Sequence, residues 1–397
     1  MEQLAIFGGR AVRDKAIYYG KQSISPEDIA AVEETLVGRL ITCGPRVSAL
    51  EEVLKKTVNA EYAVAVSSGT AALHLAALTA GIQEGDEVIT TPMTFAASAN
   101  CVRYCGGTVV FADIDPNTYN IDPDEIERKI TPRTKAVIAV DYTGQSVAHD
   151  RIDAICKRNG LLLIEDAAHA IGTKFDRRPV GSIADMTCFS FHPVKTVTAG
   201  EGGAVTTNNP EYYRKLLLLR SHGITTDAEW MTVEKEGHWF QQQLFLGFNY
   251  RMTDFQAALL MSQLKRLDAF SKRRKELVAY YDRAFSEVEE VTVHQNIDRS
   301  DTTWHLYVIQ LALEKLNCTR RQFFDAMAAE NVNCQVHYIP VYYHPYYQQL
   351  GYEKGLCPIA ERLYERILSI PLYPDLTDED AESVVHAIKK IIAYYKK

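Results

Sequence analysis

No apolar run in this chain reaches the ~20 residues that a membrane-spanning helix needs. The first ten residues, Met1 to Arg10, have neither the basic start nor the apolar core of a signal peptide. Both absences point to a cytoplasmic protein that does not use a membrane. Cysteine is sparse, with 8 thiols in 397 residues and no C-x-x-C; the nearest pair is Cys101 and Cys105. That pattern offers neither a disulfide framework nor a zinc framework, and it fits reduced thiols. Positive charge is not in excess: 43 Lys and Arg face 51 Asp and Glu, for a formal charge of -8. A field for nucleic acid is therefore missing, although a local cationic pocket for a phosphorylated substrate remains open. The phosphate loops G-x-x-x-x-G-K-[ST] and G-x-G-x-x-G are absent too, as are repeats and low-complexity segments.

What is present is an ordinary soluble composition, 47% hydrophobic and 24% charged, in a chain too long for one core. Two domains are expected, divided near 255/256: residues 1–255, an N-terminal arm and a large α/β domain, and residues 256–397, an interdomain helix and a small α+β domain. Ser25-Pro-Glu-Asp28 reads as a helix start that runs to about Val37, with a second helix from Val47 to Lys56. From Tyr62 strands alternate with helices: strands at 63–66, 87–91, 108–112, 135–140 and 161–165, and helices at 71–80, from about Phe95, and at 150–159. This alternation predicts an α/β sheet with helices on both faces, its strand rims gathering the loops of Ser68, Phe95, Asp166 and Lys195. Asp254 to Phe285 reads as one long helix. Strands at 304–311 and 332–337, with helices at 319–330, 358–368 and 378–395, complete the smaller unit.

Three stretches carry chemistry. Ser67-Ser-Gly-Thr-Ala-Ala-Leu73 is a small-residue turn opening a helix, whose free amides make an anion seat; the plain alternative is a capped helix. Asp166 ends a buried apolar strand, where a carboxylate needs a cation, and a pyridinium nitrogen would serve. His169, three positions on, can reach the phenolic oxygen of such a ring, or simply be a satisfied rim histidine. Lys195 follows the aromatic strand end Phe189-Ser-Phe-His-Pro193 and is placed for partial desolvation, which suits an amine to attack a carbonyl; the alternative is a snorkelling lysine. A metal set of Asp166, His169 and His192 leaves the lysine and the anion seat without roles, so no metal is expected. Anion seat, carboxylate and amine together match pyridoxal 5'-phosphate, with Ser190 as a further phosphate donor and Phe95 or Tyr142 over the ring.

The ordered set Ser67–Leu73, Thr91-Pro-Met-Thr-Phe95, Glu165-Asp-Ala-Ala-His169, Phe189–Lys195, Gly200-Glu-Gly-Gly203 and Gly247-Phe-Asn-Tyr-Arg-Met-Thr-Asp254 resembles the DegT/DnrJ/EryC1/StrS sugar-nucleotide aminotransferases. The resemblance implies fold-type I, the aspartate aminotransferase-like architecture with a large mixed-sheet domain and a smaller α+β C-terminal domain. It implies that Lys195 is the Schiff-base lysine, Asp166 the ring-nitrogen partner and His169 the residue beside the ring oxygen. Ser68, Gly69, Thr70, Ala71 and Ser190 correspond to the phosphate cradle, and Phe95 to the stacked aromatic. Asn249 corresponds to the asparagine reaching the neighbouring subunit's phosphate, which implies a homodimer with composite sites.

The implied reaction is a ping-pong amino transfer from L-glutamate to a nucleotide keto-sugar. The aromatic and histidine-rich segment Cys334 to Tyr347 suits sugar binding through His337 and Tyr338, or else is a core seam. Gln335-Val-His-Tyr-Ile-Pro340 and Tyr18-Tyr-Gly-Lys21 resemble the branch acting in pseudaminic acid biosynthesis. That branch implies amination at C4 of a UDP-linked 4-keto-6-deoxy-N-acetylhexosamine. Other expectations within the family are UDP-4-amino-4-deoxy-L-arabinose, GDP-perosamine and dTDP-amino sugar formation. From another class comes a cofactor-binding regulator, against which the lack of a DNA-binding module weighs. A lysine at 195 opposes the dehydratase variant of the scaffold, where histidine replaces it.

Overall fold

The structure, a computed structural model, describes residues 2–397. Its centre is a seven-stranded sheet of β1 (Tyr62–Val66), β2 (Glu87–Thr90), β3 (Thr108–Phe111), β4 (Thr134–Val140), β5 (Leu162–Asp166), β6 (Met186–Ser190) and β7 (Gly203–Thr207). The spatial order is β1-β7-β6-β5-β4-β2-β3. β7 runs antiparallel to both neighbours, and the other pairings are parallel, so the sheet is mixed. Its strands are buried almost throughout because helices cover both faces, and polar members such as Thr90, Glu165 and Thr187 are buried with the apolar ones.

The period of two along each strand sorts side chains between two layers. Val64, Val66, Ile164 and Met186 pack with α3 (Gly69–Thr79) and α4 (Ala97–Tyr104). Ala63, Ala65 and Ala204 turn the other way, onto Leu50 and Leu54 of α2 (Pro45–Val58) and Leu260 of the helix Asp254–Leu264. Ahead of these, α1 (Pro26–Leu36) starts at Ser25 with a capping box: Ser25 donates its amide to Asp28, and its side chain accepts the Asp28 amide.

The C-terminal layer is an antiparallel sheet of β8 (Val291–Val293), β9 (Tyr307–Leu311) and β10 (Ile367–Ile370), in that order. Helices Leu267–Phe285, Arg320–Ala329 and Asp378–Tyr395 bury Leu277, Tyr281, Phe323 and Ile388 with its strand residue Ile309. Leu4 and Ile17 lie in this same core. Buried Glu330 accepts the amides of Ala5 and Val12, each at 2.9 Å, and pairs with buried Lys390 at 3.0 Å. The N-terminal arm thus packs on the C-terminal layer, not with the rest of residues 1–255. Conversely Tyr342, Tyr347 and Leu363 belong to the core of the large sheet. A cut at 255/256 is crossed in both directions.

Three element expectations need correction. The single helix over 254–285 is two, broken at Lys265 and Arg266, where the Arg266 guanidinium turns to the Asp28 carboxylate and the Ser23 carbonyl. The strand over 332–337 is two isolated bridges, Val332 to Ile17 and Gln335 to Ser369, because the Tyr142 hydroxyl takes the His337 carbonyl and the segment bends over the large sheet. The helix from Pro358 stops at Tyr364, and Ile367–Ile370 forms β10 instead.

Candidate active site

Three strand ends converge. Val66 and Ser190 both sit opposite Gly203 of β7, while Asp166 sits opposite Cys188 of β6. Ser68, Ser190 and Asp166 therefore open at one rim of the sheet, where the chain leaves the carboxyl ends of parallel strands.

Ser68 has extended backbone and caps α3, its hydroxyl accepting the Ala71 amide at 3.1 Å. The Ala71 amide is thereby engaged within the cap, while those of Gly69 and Thr70 belong to the first turn, whose amides lack intrahelical partners. Gly69 is needed for space: a Cβ there would lie 2.8 Å from the Ser190 Cβ. The turn and the end of β6 approach each other only because that atom is missing.

Asp166 is 5% exposed. The Ser98 hydroxyl donates to its Oδ2 at 2.6 Å, and the Ala168 amide to its Oδ1 at 3.2 Å. Burial pushes the carboxyl above its usual range, opposed by these two bonds and by the Lys195 charge. Burial likewise pulls the Lys195 amine down to about 8, with Asp166 opposing. Lys195 keeps some accessible surface, yet protein crowds its amine enough for desolvation to dominate.

His169 is buried. Its Nε2 lies 3.0 Å from the Tyr338 hydroxyl, its Nδ1 has no partner among the described residues, and its ring lies 4.4 Å from that of His305. Burial, then the Lys195 charge, holds the imidazole well below its usual range, so it is neutral. His337 places Nδ1 2.8 Å from the Ser369 hydroxyl, and burial pushes it down to about 3. Phe95 is 63% exposed just before α4, its ring 6.5 Å from that of Tyr338.

Lys195, Asp166, His169, His337 and Tyr338 are thus brought together, beside the Gly69–Ser190 turn. Asn249 is not: it is exposed, its backbone bridged to Ser221. Tyr142 is 1% exposed and engaged with the His337 carbonyl, so of the two aromatics expected over a ring only Phe95 is open at the rim. His192 is exposed beside Glu201 and does not join Asp166 and His169. Sequence reasoning missed Ser98 and His305. Neither lies in a chemical motif, and Ser98 meets Asp166 across 68 positions of sequence.

These residues fit pyridoxal phosphate. A cradle kept open by the missing Gly69 side chain, a buried carboxyl lacking a full cation, an orphaned His169 nitrogen and a lysine driven toward its neutral form are what phosphate, ring nitrogen, ring oxygen and aldehyde require.

The known proteins agree. The model of the DegT/DnrJ/EryC1/StrS aminotransferase family matches residues 22–389. The chain is 43% identical over 382 residues to the spore coat polysaccharide biosynthesis protein SpsC of Bacillus subtilis (strain 168), covering 96% of this chain and 98% of that one. It is 36% identical over 384 residues to the UDP-4-amino-4,6-dideoxy-N-acetyl-beta-L-altrosamine transaminase of Campylobacter jejuni, covering 96% and 99%. Among solved structures, Helicobacter pylori PseC, an aminotransferase involved in the biosynthesis of pseudoaminic acid, superposes with a TM-score of 0.89 at 32% identity, covering 96% of this chain and 100% of that one. With this coverage and a rim built for pyridoxal phosphate, the chain is a pyridoxal-phosphate-dependent sugar aminotransferase of fold-type I and belongs to the DegT/DnrJ/EryC1/StrS aminotransferase family.

Proposed function

We propose that the chain transfers an amino group from L-glutamate to C4 of a UDP-linked 4-keto-6-deoxy-N-acetylhexosamine, yielding a UDP-4-amino-4,6-dideoxy sugar. The observation that carries this reading is the placing of His337 and Tyr338 beside His169, with Tyr338 3.0 Å from the His169 imidazole. The segment resembling the pseudaminic acid branch is thereby folded onto the rim. Likeness to the altrosamine transaminase and to PseC supports the same substrate class.

When bound, pyridoxal phosphate supplies an aldehyde for amine exchange and an electron-poor ring that stabilises a carbanion. The chain supplies the rest. Lys195 would hold the aldehyde, and its Nζ would accept and return a proton; an amine near pKa 8 is well matched to both. Asp166 holds the ring nitrogen protonated, and a cation there draws its carboxyl back down. Neutral His169 hydrogen-bonds the ring oxygen without adding charge. The amides of Gly69 and Thr70 and the Ser190 hydroxyl take the phosphate, and Phe95 covers the ring. Asn249, exposed and away from its own chain's rim, serves the phosphate of a second copy, so the working unit is a homodimer in the cytoplasm. Among the described residues no helix is long and apolar enough to cross a membrane.

A second reading has its own support. Identity is higher to SpsC, at 43%, than to the altrosamine transaminase, at 36%. The acceptor would then be a different nucleotide keto-sugar. A panel of UDP-, GDP- and dTDP-linked keto-sugars, assayed with glutamate and followed by NMR of the products, tests both. Amination of the UDP-linked N-acetyl 4-keto sugar at C4 is expected. Turnover confined to another sugar selects the second reading, and turnover of none removes both.

A further inference from the structure

Beneath the rim lies a cluster that the chemistry above does not use. Asp141 follows β4, Glu165 precedes Asp166 on β5, and His149 opens the helix His149–Asn159; all three are fully buried. One ligand-type atom from each lies within 4.8 Å of the others. His149 Nε2 is 2.5 Å from Glu165 Oε1. Glu165 Oε2 accepts the Thr187 hydroxyl at 2.8 Å, and Asp141 Oδ1 accepts the Val147 amide at 2.9 Å. Asp141 Oδ2 is buried with no partner among the described residues.

Two carboxylates cannot both stay ionised at this separation in a dry interior unless positive charge is shared with them. Burial, followed by the Glu165 charge, pushes Asp141 far above the usual carboxylate range. Burial also pushes Glu165 up, but the His149 charge and the Thr187 hydroxyl outweigh it and leave the group lowered. The titratable groups facing the cluster are Asp166 on β5, Cys188 on β6 and, beyond Asp166, Lys195. Asp150, beside His149, is occupied at the surface by Arg299.

We propose that Asp141, Glu165 and His149 form a charge-balanced positioning element for Asp166: Asp141 carries a proton, and the His149 imidazolium neutralises the Glu165 carboxylate. The link to Asp166 is direct. Glu165 is its chain neighbour, and the Asp141 amide donates to the Asp166 carbonyl at 3.1 Å. Glu165's negative charge disfavours ionisation of Asp166. Compensation by His149 leaves Asp166 free to ionise and hold a ring cation. This rests on the role of Asp166 as the ring-nitrogen partner, but on no choice of sugar.

The test has two arms on purified holoprotein. Infrared spectroscopy at neutral pH should show the C=O stretch of a buried protonated carboxyl, absent in Asp141→Asn, whose amide mimics that acid. Cofactor retention is then followed as pH falls. Asp141→Asn should keep the wild-type midpoint of release. His149→Gln removes the compensating charge, raises the Asp166 carboxyl, and should move the midpoint up by about one pH unit. No carboxyl band, a band that survives Asp141→Asn, equal midpoint shifts in both variants, or one metal ion per chain by elemental analysis would each overturn the proposal. Should His149→Gln fail to fold, the infrared arm and the Asp141→Asn midpoint still decide it. Neither arm involves a sugar acceptor, so failure here is separate from failure of the substrate reading.

Discussion

The Ser98 hydroxyl stands 2.6 Å from Oδ2 of Asp166 and donates to it, in a part of the core where both residues are buried. The same hydroxyl lies 2.7 Å from that of Thr94, so α4 and the turn before it hold the carboxylate in place. A hydrogen bond to a buried charge contributes about 1.5–3 kcal/mol. Ser98→Ala therefore reduces kcat by roughly 10- to 100-fold. It also removes an influence that lowers the Asp166 carboxyl, so the acid limb of the pH–rate profile moves to higher pH. A kcat loss with an unmoved acid limb would show that Ser98 packs the site without stabilising the charge.

Lys195 provides a second test. An ordinary lysine amine titrates near 10.4 and is almost wholly protonated at pH 8.5, whereas burial brings Lys195 to about 8. In cofactor-free protein, a limiting dose of reductive-methylation reagent near pH 8.5 should modify Lys195 well ahead of the surface lysines; the modification should slow below about pH 7 as the amine protonates, and the preference should fade above about pH 10.4, where the surface amines are also free. Borohydride reduction of the holoprotein should leave the cofactor on the peptide containing Lys195. Lys195→Ala should abolish both the attachment and turnover. A reduced peptide from elsewhere in the chain would remove Lys195 from its role.

Much of this was legible in the sequence because local physics specified it. The turn at Ser68, the acid at the end of an apolar strand and the lysine after an aromatic strand each follow from neighbours in the chain, and the strands carrying them appeared as short apolar runs. The failures share one cause. Helix pattern persists through Lys265 and Arg266, yet the chain breaks there for a tertiary contact between Arg266 and Asp28. Residues 332–337 have strand character, but their pairing is diverted where the Tyr142 hydroxyl claims the His337 carbonyl. The capping of Ala71 by Ser68 and the buried trio of Asp141, His149 and Glu165 depend on atoms whose direction no periodicity encodes.

Gly69 follows from packing, not from backbone conformation. An added Cβ would meet the Ser190 Cβ at 2.8 Å, and Ser190 sits at a strand end that cannot recede without disturbing its pairing with Gly203. Overpacking of this kind typically destabilises by about 1–3 kcal/mol. Gly69→Ala should lower the thermal midpoint by a few degrees and weaken cofactor binding about tenfold or more, since the amides of Gly69 and Thr70 move with the turn. Fluorescence titration of stripped protein with pyridoxal phosphate measures the second effect. Full affinity in a destabilised variant would place the phosphate elsewhere.

Arg274, on the helix Leu267–Phe285, is 1% exposed, and its Nη1 reaches the carbonyls of Trp304, His305 and Leu372 at 3.2, 3.1 and 2.9 Å. No carboxylate pairs with it among the described residues, and burial pulls the guanidinium down to about 10. The charge is therefore held by backbone dipoles, and its removal has two opposing effects. Arg274→Met relieves a desolvation penalty of several kcal/mol but strands three buried carbonyls, each costing about 1–3 kcal/mol. The nearly full burial of two of those partners, His305 and Leu372, tips the balance toward loss, by roughly 2–4 kcal/mol. Arg274→Lys keeps the charge on a side chain one bond shorter, which leaves its amine short of the three carbonyls that Nη1 reaches, so it should not restore wild-type stability. Because one of the three carbonyls belongs to His305, whose ring packs 4.4 Å from that of His169, both variants should also loosen the cofactor when assayed well below their unfolding temperature. Urea unfolding midpoints check the first effect and cofactor titration the second. A stability equal to wild type in Arg274→Met would mean that the carbonyls find other donors, and that the cost of desolvating the guanidinium outweighs what its hydrogen bonds return.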